Sequence, residues 1–307
     1  MNKMLTFKSI LFTVVIVFLV ASITGCGPKD KKPADQTDKI DLEGDNLQVL
    51  DDIKQAEKIF NSLPSPLESA MLIKSAGARF DKSYLNLVEN TSKYATNKSM
   101  ALNLGIYTCD LSFASLYDQT EIIISYMNAA KKMADGLGIL EAIDQEAIER
   151  LEENINNTDV IMEIVSETFL NSNSYLEDND QPAIATIVLV GGWIEGLYIA
   201  TQLVDLTDFD GNKLVSTIID QKLSIGILFD LLKDNAGHPS VDELIVQIDG
   251  IRKVFDKITL TSGPVRAEVD KATNVTVLKS EVKTDMNVAT FKELKETVAT
   301  IRNSFTN

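Results

Sequence analysis

Residues 184–206 read IATIVLVGGWIEGLYIATQLVDL, and this stretch decides the fold. Its apolar residues fall all round a helical wheel instead of forming one stripe, so a helix here has no face to give to water. It carries an acid, Glu195, in its middle, and a second, Asp205, only at its end. An ionisable group at membrane depth is costly, which weighs against a membrane span and for the central buried helix of a water-soluble domain. Asp180, with Pro182 close behind, supplies its start. A central helix needs others to cover it, so the neighbouring sequence is read for helices.

They recur on both sides. Asp45 or Asn46 caps a helix over 46–61, which Leu63-Pro64-Ser65-Pro66 ends. Ser65 caps the next, with Pro66 at its first position and Glu68 three residues after the cap. Asp81 opens a short segment to residue 88. Thr96 or Asn97 opens a long helix to Tyr117, and Asp118 with Glu121 starts another that ends near Gly136-Leu137-Gly138. Asp144, Thr158 and Asn212 precede helices over 146–155, 160–177 and 213–234, and Ser240 with Glu243 forms a capping box before residues 244–257. Ile148, Leu151 and Ile155 recur at spacings of three and four, as do Ile161, Ile164, Val165 and Thr168.

After Lys257 the pattern changes to short β-branched, alternating runs, which predict a small β-hairpin or extended arm over 258–280. A terminal helix follows over 288–305. The expected fold is mainly all-α: a multi-helix bundle of about ten helices with this arm before the last one. A weak repeat runs through it. Gly105, Tyr107, Leu111, Phe113, Ala114 and Ser115 match Gly191, Trp193, Leu197, Ile199, Ala200 and Thr201 at the same offsets. That fits two related helical units, and equally a chance likeness of two helices rich in small residues.

The N-terminus is of another kind. Lys3 and Lys8 precede an apolar run over 10–21, too short for a comfortable span but suited to a secretory leader. Ile23-Thr24-Gly25-Cys26 then forms a lipobox: small side chains beside the cut, and a thiol to carry lipid. The reading is a cleaved signal peptide over 1–25, lipidation at Cys26 (acyl chains such as palmitate), a flexible tether over 26–45, and one helical domain over 46–307. One acyl chain anchors marginally, whereas the two or three of a mature lipoprotein hold firmly. The expected location is the cell envelope. Gly27 is not the Asp that marks inner-membrane retention in some Gram-negative bacteria, which favours the outer membrane.

Composition narrows the partners. The chain has 29 Lys plus Arg against 45 Asp plus Glu, a net charge of −16. Loss of Lys3 and Lys8 with the leader leaves 27 − 45 = −18. Nucleic acid is not an expected partner, because phosphates need a basic face. With Cys26 lipidated, Cys109 stands alone, so an exported domain must be held by its core and not by an internal disulfide.

Ser62-Leu-Pro-Ser-Pro-Leu-Glu-Ser-Ala, Asn97-Lys-Ser, Leu104-Gly-Ile-Tyr, Asp110-Leu-Ser, Gly191-Gly-Trp-Ile-Glu-Gly-Leu-Tyr and Ile301-Arg-Asn-Ser, in that order, resemble an uncharacterised family of predicted helical lipoproteins of Bacteroidota. The resemblance spans nearly the whole mature domain. It implies location and fold, and no activity or functional residues.

Candidate chemistry is sparse. The single His, His238, sits in a turn without a second His, which excludes His-based triads and most zinc sites. Asp205, Asp208, Asp210 and Gly211 suggest a calcium loop, but with Gly211 at position six the twelfth position is Thr217, not a bidentate Glu. Cys109 lies on an apolar helix side and reads as core. Gly191-Gly192 lies inside a helix, so no phosphate loop or cofactor motif is present, and Gly105, Gly191, Gly192 and Gly196 read as positions of close helix packing.

Asp110 and Glu195 are the sharper pair. Each is an acid in an apolar helix beside aromatic residues, and such groups need partners. Tyr107, Asp110, Trp193, Glu195 and Tyr198 therefore form a candidate ligand pocket, with a purely structural polar network as the alternative. The expected function is a lipid-anchored, non-enzymatic binding or scaffold module with an envelope protein or small molecule as partner. The competing expectation is a hydrolase that uses Asp110 and Glu195 as acid and base.

Overall fold

The computed structural model describes residues 63–140, 145–262, 266–270, 275–279 and 282–307. The leader, Cys26, the tether and the helix expected over 46–61 lie outside the described residues. The fold is all-α with a small antiparallel arm, as expected. Its helices are α1 (Pro66–Ser75), α2 (Asn97–Leu116), α3 (Thr120–Gly136), α4 (Gln145–Glu153), α5 (Thr158–Asp178), α6 (Pro182–Leu203), α7 (Lys213–Asp234), α8 (Pro239–Phe255) and α9 (Val288–Thr306). Strands β1 (Leu260–Ser262), β2 (Arg266–Asp270), β3 (Val275–Lys279) and β4 (Val282–Thr284) form the arm, β1 pairing with β4 and β2 with β3.

The centre is the pair α2 and α6. Every residue of α2 from Ala101 to Leu116 is buried. Helix α6 is long and apolar enough to cross a membrane, but 83% of its most apolar window is buried by its neighbours. The two helices run parallel, since Leu102 faces Gly191 and Cys109 faces Gly196. Around them, α1 crosses both, α3 lies on α2, α5 touches both, α4 backs α5, α7 lies on α6, and α9 bridges α6 and α8.

Glycine sets the separation of the central pair. A Cβ at Gly105 would stand 2.0 Å from the Val188 carbonyl oxygen, and one at Gly191 would stand 2.0 Å from that of Leu102. Real side chains cannot approach so closely, so the two backbones touch directly. The contact is also reciprocal under the sequence repeat: Gly105 matches Gly191, and Leu102 matches Val188. The two repeat copies therefore pack on each other about a local pseudo-twofold. Gly192 and Gly196 serve the next face of α6, where Pro66 and Ser69 of α1 would each lie 2.7 Å from an added Cβ.

The helix starts follow local hydrogen bonding. Ser65 Oγ accepts from Glu68 N (3.2 Å) and Glu68 Oε2 accepts from Ser65 N (2.7 Å), giving the expected capping box of α1. Thr96 and Ser99 do the same for α2. Four starts differ from expectation; at one, Thr158 is already helical and Asn157 caps α5. Asp118 does not cap α3: it adopts φ +56°, turns the chain between α2 and α3, and accepts from Thr158 Oγ1 (2.7 Å). Asp180 likewise takes φ +57° in the α5–α6 turn, leaving Gln181 at the cap of α6. Helix α8 begins at Pro239, so Ser240 is already helical, and Glu243 instead pairs with Lys98 of α2.

Substituting Gly105 or Gly191 by Ala forces α2 and α6 apart and should cost at least about 3 kcal/mol, the upper range for overpacked cores. Gly226, an exposed α7 residue with open space around its Cα, provides the contrast. Gly226→Ala should stabilise by up to about 1 kcal/mol, because it removes only helical flexibility. Urea unfolding of the three variants reads both signs.

Candidate functional site

The parallel register of α2 and α6 brings Asp110 and Glu195 together at the centre of the molecule. Both are fully buried, at 0% exposure. A third group joins them. Arg302 of α9 donates to Glu195 through Nε and Nη2, at 2.8 Å each, and through Nη2 to the Tyr84 carbonyl (3.3 Å). Its guanidinium lies 4.6 Å from the ring centre of Tyr198. Burial by itself would push the Arg302 pKa down, but the charge and hydrogen bonds of Glu195 outweigh it, so the net shift is upward. A bidentate guanidinium–carboxylate pair is the strongest arrangement available to two such charges.

Asp110 is then the surplus acid. Burial, then the charge of Glu195, drive its pKa well above the ordinary carboxylate value, against the pull of Arg302 and the Asn86 N–H. Its surroundings favour the protonated form. Its Oδ2 accepts from Asn86 N (3.0 Å), and its Oδ1 faces Glu195 without an outside partner. A protonated Asp110 that donates to Glu195 satisfies that oxygen. The cluster is acid, carboxylate and guanidinium, with no net charge, which is the form that low-dielectric surroundings tolerate.

A shell of amides and phenols closes over it. The Asn86 side chain donates to Tyr94 Oη and Asn103 Oδ1, both at 3.0 Å, and its carbonyl accepts from Tyr126 Oη (2.8 Å). Tyr107 Oη donates to the Leu87 carbonyl (2.9 Å). Asn103 Nδ2 and Tyr94 Oη bind the carbonyls of Phe305 and Thr306, at 2.9 and 3.2 Å. Two carbonyls at the end of α9, which the helix itself leaves unsatisfied, are thus completed inside the core.

The five expected pocket residues do not line one open pocket. Tyr107, Asp110 and Glu195 belong to this sealed network, and Tyr198 covers Arg302. Trp193 faces the other way, where Nε1 donates to Gln221 Oε1 (3.0 Å) beside a cleft of about 280 Å³ between α1, α6 and α7. The reason is Arg302, which pairs with Glu195 and closes the two acids into one buried set. Acid–base hydrolysis needs a carboxylate within reach of water and substrate; here both are enclosed and one is neutralised. The Cys109 thiol, buried beside them, is pushed up by burial and by both acids, and does not ionise readily.

Arg302 was missed in the sequence, although a signal exists. Leu294, Val298, Ile301 and Phe305 form the apolar stripe of α9. Arg302 follows Val298 by four residues and so falls on the same face, where a charge needs a buried acid as partner.

An open cavity lies elsewhere, between α2, α3, α4, α5 and α6. It holds about 740 Å³, counting its mouth. Leu111, Met127, Ile148, Leu151, Ile164 and Phe169 are among the apolar residues of its wall. Two hydroxyls in the wall are turned onto their own helices: Thr108 Oγ1 donates to the Leu104 carbonyl and Ser172 Oγ to that of Thr168, both at 2.8 Å. They present methyl and methylene carbons to the space. Among the described residues, Lys131 is the one charged side chain of the lining; Asn173 also lines it, and its Oδ1 is buried without a hydrogen-bond partner among the described residues.

The other candidates serve the backbone. Asp205 Oδ1 accepts from Thr207 N (2.9 Å) and Oγ1 (2.7 Å), and Asn212 Oδ1 accepts from Leu214 N (2.9 Å) at the start of α7. His238 is the exposed residue before α8. Among the described residues no group of three or more His, Cys, Asp or Glu side chains is placed to hold a metal ion.

Compared with known proteins, this chain matches no family description, no curated protein and no solved structure. Its function is therefore argued from its own geometry.

The charge cluster makes two predictions. Glu195→Gln leaves the Arg302 charge buried and underpaired, and should cost about 3–5 kcal/mol; Glu195→Leu with Arg302→Met should cost less than the sum of the two single changes. Asp110→Asn keeps the shape and the donor. Asp110 has a raised native pKa, so its contribution is full below about pH 4, the ordinary Asp range, and is lost as pH rises toward its native value. Relative to the wild type, Asp110→Asn should gain stability with rising pH, at up to about 1.4 kcal/mol per unit. Urea unfolding at a series of pH values from 4 upward reads this slope.

Proposed function

We propose that this protein is a lipid-anchored, non-enzymatic binding module of the bacterial cell envelope, which holds a small apolar molecule in the cavity lined by α2, α3, α4, α5 and α6. The cavity is the observation that carries the reading. A concave, largely apolar space walled by helices is the usual form of a small-molecule site. Its walls come from five helices, so it is shaped by the bundle and not by a loop. The absence of an accessible catalytic set in the central cluster supports binding over hydrolysis.

Anchoring is supported by the lipobox at Cys26 and the apolar run before it. The tether places the domain some distance from the bilayer, and the acidic surface keeps it from adhering to anionic headgroups. The resemblance to helical lipoproteins of Bacteroidota points the same way, and Gly27 favours the outer membrane.

Two measurements test the proposal. Intact-mass analysis of the membrane fraction should find a chain that begins at Cys26 and carries diacylglycerol, and Cys26→Ala should release the protein from that fraction. The neutral fluorophore N-phenyl-1-naphthylamine should bind the purified domain saturably, one per chain. Ala130→Trp, which places a bulky ring in the cavity wall, should reduce that binding at least about tenfold while the protein stays folded. Equal binding by that variant would dismiss the cavity as the site.

A further inference from the structure

Strands β2 and β3 of the arm form a two-stranded sheet of their own. They pair antiparallel, with Arg266 opposite Lys279, Glu268 opposite Val277 and Asp270 opposite Val275. Among the described residues no third strand joins them, and each meets the other far more than it meets any helix. A ribbon of two strands is marginal in water; a third strand, or a helix across one face, is what makes such a ribbon stable. Its outer edges carry backbone N–H and C=O groups that a further strand can pair.

The two edges differ in sequence. Strand β2 reads Arg-Ala-Glu-Val-Asp, with a charge at every second residue. Charges along an edge guard it against pairing. Strand β3 reads Val-Thr-Val-Leu-Lys: four uncharged residues, three of them β-branched, before a single Lys. It is the edge without a guard.

That edge is also complementary to itself. When two copies of β3 lie antiparallel about a twofold axis, Val277 stands opposite Val277, Thr276 opposite Leu278, and Val275 opposite Lys279. Only this twofold register pairs all five residues, and in it no charge meets a like charge. Parallel, in-register copies would set Lys279 beside Lys279, and two copies of β2 about such an axis would set Glu268 against Glu268, both unfavourable. The charge of the whole arm agrees. Residues 260–284 carry four basic residues (Arg266, Lys271, Lys279 and Lys283) and three acidic ones (Glu268, Asp270 and Glu281), so 4 − 3 = +1, in a chain of net charge −16. Two copies that meet here meet through a segment that lacks the self-repelling acidic excess of the rest.

We infer that the arm is a device for self-association: β3 of one copy pairs antiparallel with β3 of a second copy, centred on Val277, to give a four-stranded sheet in the order β2, β3, β3, β2. Five residues from each copy supply the pairing, so the interface belongs to the small, transient class. This inference stands on the arm alone and holds whatever the cavity binds.

The test is cysteine cross-linking of the full chain in freshly broken cells, with copper phenanthroline as oxidant and dimer read on a non-reducing gel. Cys109 is buried, and the unsubstituted chain sets the background. Val277→Cys should give a disulfide-linked dimer at least about fivefold above that background, because the two copies of this position lie opposite each other. Glu268→Cys should stay at background: across four strands its two copies are about 14 Å apart, beyond the reach of a disulfide. Val275→Lys, added to Val277→Cys, sets a like charge opposite Lys279 of the second copy and should lower the yield about two- to tenfold. In its own hairpin that substitution stands opposite Asp270, an unlike charge, so the fall does not come from a weakened arm. No dimer from Val277→Cys, or as much from Glu268→Cys, overturns the pairing of β3 edges. A yield unchanged by Val275→Lys overturns the register. A cross-linked band of any mass other than twice the monomer shows a different protein on this edge and overturns self-association.

Discussion

The rest of the molecule depends on the contact of backbone with backbone where α2 crosses α6. Gly105 against the Val188 carbonyl and Gly191 against that of Leu102 bring two long apolar helices closer than side chains permit. The gain is dispersion over a long interface. The same approach has a cost. It places Asp110 and Glu195, one from each helix, in a space from which water is excluded.

That cost is met from the far end of the chain. Arg302 neutralises Glu195, and Asp110 keeps its proton, so three ionisable side chains leave no net charge behind. The bonds that hold α9 in this position also complete its terminal carbonyls. The C-terminal helix is therefore locked to the centre by polar groups as well as by its apolar stripe. Such a network specifies one arrangement more strongly than it stabilises it, because a wrong register strands a buried charge.

The two polar features of the core thus play opposite parts. The central cluster is complete within the protein and has no capacity left for a ligand. The cavity one helix layer away is walled mostly by apolar side chains, with Lys131 the charged residue among its described lining. Burial alone did not separate the two regions; the completeness of the hydrogen bonding in the cluster did.

Much of the fold was legible because helix formation is local. The buried character of α6, the capping box at Ser65, the cap at Asn212, the β-branched arm and the tight-packing glycines all follow from residues within a few positions of one another. The lipobox is likewise a linear signal, which is why Cys26 needs no fold to be read. Asp118 and Asp180 misled for the same reason: an Asp before a helix suits a cap and a left-handed turn alike, and the packing of the hairpin chose the turn. The sequence marked Asp110 and Glu195 as acids in need of partners. It did not reveal that Arg302, 107 residues beyond Glu195, is that partner, because the pairing depends on how α9 crosses α6. Nor did it reveal the cavity, since the space between five helices is a property of their separation. Local chemistry determined the helices and most of their caps; long-range packing decided which buried acid found a partner and where a space was left between helices.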